Sequence, residues 1–105
     1  MSHTESASQA DYINRGAKQC GVPAYMVEGL VHYFVHRVAP GGFMLAVLQN
    51  DLMRALEKAD STNINCLKAY GMFLYNYAPL GSYGSRENVE RWLDHHKSDE
   101  DVSHD

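Results

Sequence analysis

The chain has 105 residues, of which 45% are hydrophobic and 21% are charged, and its formal net charge at pH 7 is −4. This length provides one domain with a single modest core, and the composition excludes a wholly disordered chain. An acidic chain lacks the basic face that a general nucleic-acid binder needs. No apolar run in the sequence reaches the roughly 18 residues of a membrane span. We therefore expect a globular domain that binds neither membranes nor nucleic acids in general.

Two further features favour a cytoplasmic location. The first residues, 1–6, are polar and lack the apolar segment of a secretory signal. Cys20 and Cys66 lie far apart without metal-finger spacing, which is typical of two reduced, largely buried thiols.

The first two predicted helices are separated by the break at residues 21–23. The first helix covers 9–20 after the cap candidate Ser8, although Gly16 weakens it. The second covers 23–38 and has the clearest pattern, because its apolar residues recur at the spacing of one buried stripe. These residues are Val27, Leu30, Val31, Phe34, Val35 and Val38.

Three more helices are predicted towards the C-terminus. The third covers 42–59, and its apolar arc consists of Met44, Val47, Leu48, Leu52, Ala55, Leu56 and Ala59. The fourth begins near the cap candidates at residues 60–63 and reaches Tyr77, with Gly71 on its inner side, where a neighbouring helix could approach closely. The fifth covers 86–96, is capped by Ser85, and has Val89, Trp92 and Leu93 as its buried edge.

These elements predict an all-α fold, a compact bundle of four to five helices. The linkers are only a few residues long, which implies antiparallel neighbours. We predict a disordered N-terminus at 1–7, a single helical domain at 8–96 and an acidic disordered tail at 97–105.

No motif indicates a catalytic residue, a metal site or a cofactor. His32 and His36 have the i, i+4 spacing of metal ligands, but the sequence supplies neither a metalloprotease Glu nor a third ligand. Ser82 and Ser85 lack a matching His and acid. The histidines share one helix face with Tyr25, and this exposed face is instead a candidate protein interface.

Two turns rich in glycine and proline interrupt the helical pattern. We call residues 39–42 the first elbow and residues 79–85 the second elbow. The second precedes a helix N-terminus, where backbone N–H groups favour an anion and Arg86 adds a positive charge. Nearby tyrosines can stack on a ring, so we expect both elbows to border one polar pocket. The alternative is that glycine and serine here only turn the chain.

The candidate ligand-binding residues follow from this expectation. They are Gly41, Gly42, Phe43, Asn50, Asp51, Tyr75, Asn76, Ser82, Tyr83, Ser85 and Arg86. Asp51 has two interpretations, because a carboxylate beside a buried arc is costly unless it is paired. It either lines the pocket with Asn50 or has a structural role, as an ion pair with Arg54 or Lys58 or as an acceptor for the backbone N–H groups of the elbow.

An ordered set of short motifs lies between residues 23 and 94. The motifs are Pro40-Gly41-Gly42-Phe43, Ala46-Val47-Leu48, Asn50-Asp51-Leu52, Ala59-Asp60, Asn63, Leu74-Tyr75-Asn76, Ala78-Pro79, Gly84-Ser85, Asn88 and Trp92-Leu93. This set resembles a family of small uncharacterised proteins of tailed phages and prophages. The resemblance implies an accessory protein in the cytoplasm of an infected or lysogenic bacterium, and it implies no catalytic residues. Tyr83 departs from the pattern, since relatives carry Trp or Cys-Trp there.

The residues and the resemblance together leave two main functional hypotheses. The first is a non-catalytic homo-oligomer that binds and sequesters a small phosphate-containing, nucleotide-like ligand, such as an immune signal of the host. The second is a protein-directed inhibitor or adaptor of anti-CRISPR or anti-restriction type, which would contact a host defence protein through Tyr25, His32 and His36. A nucleotide-processing enzyme is a third, less supported hypothesis, because no acid–base pair is visible.

Overall fold

A computed structural model describes residues 2–94, and every regular element within this range is a helix. The helices are α1 (Ser2–Cys20), α2 (Ala24–His36), α3 (Gly42–Leu48), α4 (Leu52–Lys58), α5 (Ser61–Ile64), α6 (Leu67–Tyr77) and α7 (86–94). The predicted all-α bundle is therefore confirmed. The predicted tail at 97–105 and the end of the fifth predicted helix lie outside the described residues.

One core holds the bundle together. α1 packs against α2 and α6, and α3 packs against α4. The largest fully buried apolar side chains are Leu30, Tyr33, Leu48, Tyr70, Phe73 and Val89, which come from α2, α3, α6 and α7. Because these residues are far apart in sequence, burying them together fixes the relative positions of the helices. Among residues 2–94, no helix has both the length and the apolar character needed to cross a bilayer.

α1 begins at Ser2, which is earlier than the predicted start at Gln9. The predicted division into a disordered N-terminus, a domain and a tail stays a prediction. Gly16 is buried in α1, and a Cβ built on it would lie 2.5 Å from the ring of Tyr77. Glycine at this position therefore allows α1 and α6 to approach each other closely.

The buried stripe of α2 differs from the prediction at its C-terminal end. Val38 is 51% exposed rather than buried, because α2 ends at His36 and Arg37 adopts a left-handed conformation with φ of 59°. Tyr33, which the prediction left out, is fully buried, with 0% of its surface exposed. Val27, Leu30 and Phe34 are buried as predicted.

Arg37 also connects α2 to α7. Its guanidinium carbon lies 3.4 Å from the centre of the Trp92 ring, and its Nη1 donates to the Trp92 carbonyl at 3.0 Å. The indole Nε1 of Trp92 donates to the Tyr33 carbonyl at 3.0 Å. A cation–π contact and two hydrogen bonds thus hold the last described helix against the end of α2.

The predicted third helix over 42–59 is wrong as a single helix. α3 ends at Leu48, Asn50 takes a left-handed conformation with φ of 62°, and Asp51 caps the new helix α4. Asn and Asp form local hydrogen bonds that compete with a continuous helix, and Asn tolerates a positive φ. The break rotates α4, so that Leu52 is 61% exposed instead of buried.

The predicted fourth helix is also divided. Asp60 caps the short helix α5, since its Oδ1 accepts from the Asn63 N–H at 2.7 Å, and α6 begins after the turn at 65–66. The expected close approach at Gly71 is wrong, because Gly71 is exposed and nothing lies within 4 Å of a Cβ built on it. Gly71 instead leaves the surface of α6 open.

Candidate functional site

The second elbow is fixed against the C-terminal end of α3. The Gly84 N–H donates to the Leu48 carbonyl at 2.7 Å, and the buried Tyr33 hydroxyl donates to the Ser82 carbonyl at 2.6 Å. The Ser82 hydroxyl donates to the Pro79 carbonyl at 2.6 Å. These hydrogen bonds fix the position of the second elbow, which forms a wall beside the turn between α3 and α4.

A groove of about 410 Å³ lies between this wall, α4 and α6, and we call it the α4–α6 groove. It is lined by Ala46, Val47, Asn50, Asp51, Leu52, Ala55, Leu67, Gly71, Leu74, Tyr75, Tyr83 and Gly84. Most of these side chains are small or aliphatic, and the two glycines lack side chains. The open space therefore results from small residues at the points where three segments of the chain meet.

The polar and aromatic groups of the groove are few. Asn50 and Asp51 are both exposed, Tyr75 is 82% exposed and Tyr83 is partly buried. Among the described residues that line the groove, none is Lys, Arg or His. The groove thus offers apolar surface, two phenol rings, one amide and one carboxylate, which suits an uncharged or donor-bearing ring better than a bare anion.

Asp51 has the predicted structural role and also lines the groove. Its Oδ1 accepts from the Arg54 backbone N–H at 3.1 Å, which caps α4, and its Oδ2 lies 3.9 Å from Nε of Arg54. The cap occupies one acceptor position, whereas a carboxylate has about four. Asp51 therefore has acceptor capacity left for a group in the groove.

The structure brings together four of the predicted ligand-binding residues, namely Asn50, Asp51, Tyr75 and Tyr83. The first elbow does not line the groove. It lies at the N-terminal end of α3, whereas Gly84 contacts the C-terminal end, and a seven-residue helix is about 10 Å long. The expectation that both elbows border one pocket is therefore wrong for the first elbow.

Residues of the first elbow have structural surroundings instead. Gly41 is the N-cap of α3. A Cβ built on Gly42 would lie 3.1 Å from Cδ of Lys58. Phe43 is buried, with its ring centre 5.5 Å from that of Tyr70.

The remaining predicted residues do not line the groove. Asn76 donates to the Met72 carbonyl at 2.8 Å and borders a separate cleft between α1, α2 and α6. Ser85 caps α7, as predicted, by accepting from the Asn88 N–H at 3.1 Å. Arg86 is exposed and its Nε lies 3.1 Å from a carboxylate oxygen of Glu90. The cap occupies a backbone N–H group at the start of α7, and the ion pair offsets the positive charge of Arg86. Both reduce the attraction of this helix end for an anion.

The candidate interface residues lie on α2, away from the groove lining. His32 and His36 are exposed with ring centres 5.9 Å apart, and the Tyr25 hydroxyl donates to Oδ2 of Asp60 at 2.8 Å. This bond and the Asn63 N–H, which has the larger effect, hold the pKa of the Asp60 carboxyl below its usual value. In the part of the chain that the structure describes, no three His, Cys, Asp or Glu side chains form a metal-binding group.

Two buried tyrosine hydroxyls form hydrogen bonds inside the protein. Burial raises the pKa of Tyr33, partly opposed by the positive charge of Arg37, and burial also raises the pKa of Tyr70. The Tyr70 hydroxyl donates to Oδ1 of Asn63 at 2.5 Å. Both hydroxyls therefore stay protonated and act as structural donors.

The predicted ligand-binding residues omit most of the groove's apolar lining, including Leu67 and Gly71. Gly71 carried the clearest signal, since a glycine inside a helix costs stability and usually has a packing or functional reason. The lining by Leu67 could not be inferred, because it depends on the break between α5 and α6.

Compared with protein-family models, curated proteins and solved structures, the chain has no significant match.

Proposed function

We propose that the chain is a non-catalytic accessory protein of a phage or prophage that binds and sequesters a small nucleotide-like ligand in the α4–α6 groove. The observation that carries the ligand proposal is the combination of apolar walls, two tyrosines and one carboxylate in about 410 Å³. Small-molecule sites typically have volumes of about 300–1,000 Å³ and few polar groups. The phage context comes from the motif resemblance alone.

The lining favours a planar ring that carries N–H donors on one edge. The ring stacks on Tyr75 or Tyr83, since aromatic side chains gain about 1–3 kcal/mol by stacking on a base. Its donors point to the carboxylate of Asp51, and Asn50 supplies an amide that can donate or accept. Guanine has this pattern, because its N1–H and N2 amino group form two adjacent donors, whereas adenine has one donor group on that edge.

The phosphate of the ligand lies at the mouth of the groove, in water. The groove lining contains a carboxylate and, among the described residues, no cation, so a phosphate inside it would be repelled. This places recognition on the ring and extends the proposal to nucleosides and cyclic nucleotides with the same base. Sequestration rather than turnover is proposed because Asp51 is the one carboxylate in the described lining and has no partner acid or base there.

A thermal-shift screen of nucleosides and mono-, cyclic and ADP-ribose-type nucleotides tests the proposal. A ligand present at 100 times its Kd stabilises the folded state by about 2.7 kcal/mol, which raises Tm by on the order of 10 °C for a domain of this size. We expect guanine ligands to raise Tm and adenine ligands to raise it less. No shift with any compound would contradict the proposal.

Asp51→Asn is the variant that separates ligand recognition from capping. Asn is as good an N-cap as Asp, so α4 keeps its first turn, but the amide replaces the carboxylate. We expect an unchanged Tm without ligand and a loss of at least about tenfold in affinity for guanine ligands. Asp60→Asn, the same change at the cap of α5, is the matched control and should leave the affinity unchanged.

A second candidate function has its own observation. Tyr25, His32 and His36 are exposed on one face of α2, and Gly29 between them has nothing within 4 Å of a built Cβ. Such a face suits a protein-directed inhibitor or adaptor that contacts a host defence protein. Stoichiometric capture of one host protein, lost in His32→Glu but retained in Asp51→Asn, would favour this function over ligand binding.

A further inference from the structure

The outer face of α4 is apolar and uncovered. Leu52 is 61% exposed, Met53 is 74% exposed and Leu56 is 36% exposed, whereas Ala55 on the inner side is 2% exposed. A seven-residue helix that buries an alanine and exposes three larger apolar side chains presents more apolar surface outwards than inwards. Adjacent exposed apolar side chains of this kind mark an interaction surface.

Two opposite charges flank this apolar surface. Arg54 and Glu57 are three residues apart and lie on the outer side of α4, beside Met53 and Leu56. The ion pair of Arg54 with Asp51 is long, at 3.9 Å, and exposed. Among the side chains that the structure describes, those of residues 9–94, Glu57 has no ion-pair partner.

We propose that this face binds a second copy of the chain, with the two α4 helices antiparallel across a two-fold axis that crosses the outer face at the level of residues 55–56. The axis reverses the helix direction, so Arg54 of each protomer lies opposite the partner's Glu57, and the two ion pairs form symmetrically. Met53 and Leu56 of both protomers then cover one another. The pattern of one cation and one anion on either side of the axis is self-complementary, which is the reason for choosing a second copy as the partner.

The dimer has a consequence for the groove. Asp51 and Leu52 border both the α4 face and the α4–α6 groove. The partner copy therefore narrows the open side of the groove and supplies a wall that one protomer lacks. The inference itself rests on α4 and does not depend on the identity of the ligand.

Sedimentation equilibrium of the full chain tests the dimer, because a protomer of 11.8 kDa doubles in mass. We expect Arg54→Glu and Glu57→Arg each to raise the Kd of the dimer by at least about tenfold, since each places like charges opposite one another. Met53→Glu should abolish the dimer. Circular dichroism checks that each variant keeps its helices.

Mixing the two charge-reversal variants is the decisive experiment for the proposed ion pairs. Arg54→Glu and Glu57→Arg chains in equal amounts should form a heterodimer, because both cross-axis pairs are then attractive again. Arg86→Glu and Glu90→Arg are the matched controls, since this exposed pair lies on α7, and neither should change the dimer.

Three results would overturn the inference. These are a monomer at every concentration up to high micromolar, a dimer that tolerates both reversals, and single variants that stay monomeric when mixed. A monomeric chain that a guanine ligand still stabilises would overturn the dimer alone and leave the proposed function standing.

Discussion

At the scale of single residues, the fold depends on hydroxyl groups that have no access to water. The Tyr33 hydroxyl donates to the Ser82 carbonyl, and the side chain is 0% exposed. Tyr33→Phe leaves that carbonyl without its donor, and we expect a loss of about 1–3 kcal/mol in the free energy of unfolding. Urea unfolding followed by circular dichroism measures it. Tyr75→Phe is the control, since Tyr75 is 82% exposed. Equal stability of the two variants would contradict the assigned bond.

The carboxylate of Asp60 predicts a pH dependence of stability. Its pKa is lowered from an ordinary value of 3.8 by the Asn63 backbone N–H and then by the Tyr25 hydroxyl. A lowered pKa in the folded state means that the stabilisation is fully present above the unfolded value and is lost as the pH falls through the folded one. At pH values below about 3.8, we expect Tm to decrease as the pH decreases. This decrease should be less steep in Asp60→Asn, which lacks the carboxylate.

Tyr25→Phe provides the comparison for that series. It removes the hydroxyl contribution at Asp60, which is smaller than that of the Asn63 backbone N–H, and leaves that N–H in place. The slope of Tm against pH in acid should therefore be reduced less by Tyr25→Phe than by Asp60→Asn, both compared with the original chain. Identical acid profiles for the two variants and the original chain would show that Asp60 does not carry this dependence.

At the scale of helices, glycines with different surroundings give opposite predictions. A Cβ on Gly16 would lie 2.5 Å from the Tyr77 ring, whereas nothing lies within 4 Å of one on Gly29. We expect Gly16→Ala to destabilise the chain by about 1–3 kcal/mol through overpacking. Gly29→Ala should stabilise it by about 0.5–1 kcal/mol, because alanine loses less conformational freedom in a helix. Thermal unfolding of both variants measures the difference, and a stabilising Gly16→Ala would contradict the close approach of α1 and α6.

A helix could be predicted from the sequence where its apolar spacing or its capping residue has the role that the structure shows. α2 follows its stripe at Val27, Leu30 and Phe34, and Ser85 caps α7 where the sequence placed it. Tyr33 also fits the spacing, three residues after Leu30, but the predicted stripe left it out. Its buried acceptor, the Ser82 carbonyl, is 49 residues away and leaves no local signal.

The largest difference between the predicted and the observed helices is the break at Asn50 and Asp51. The apolar spacing continues across residues 42–59, so periodicity alone favours one helix. The competing signal was an Asn followed by an Asp, a residue pair that tolerates a left-handed turn and then caps the next helix. Local capping chemistry outweighed periodicity, and it also created one end of the groove.

At the scale of the whole molecule, the groove is a product of contacts that are distant in sequence. The bond from the Gly84 N–H to the Leu48 carbonyl brings the second elbow to the end of α3. The sequence indicated that Asn50, Asp51, Tyr75 and Tyr83 belong together, and these residues do line one groove. It could not indicate that Gly41 and Arg86 lie elsewhere, because that depends on which end of α3 the elbow contacts.

The most direct test of ligand binding in the α4–α6 groove is a calorimetric titration of guanosine monophosphate into the original chain and two matched variants, Gly71→Leu and Gly29→Leu. Both glycines lie in helices with nothing within 4 Å of a built Cβ, but Gly71 lines the groove and Gly29 does not. We expect binding to the original chain and to Gly29→Leu, and a loss of at least about tenfold in affinity for Gly71→Leu, whose side chain fills the groove. Equal affinity of the two variants, or no heat of binding to the original chain, would contradict it.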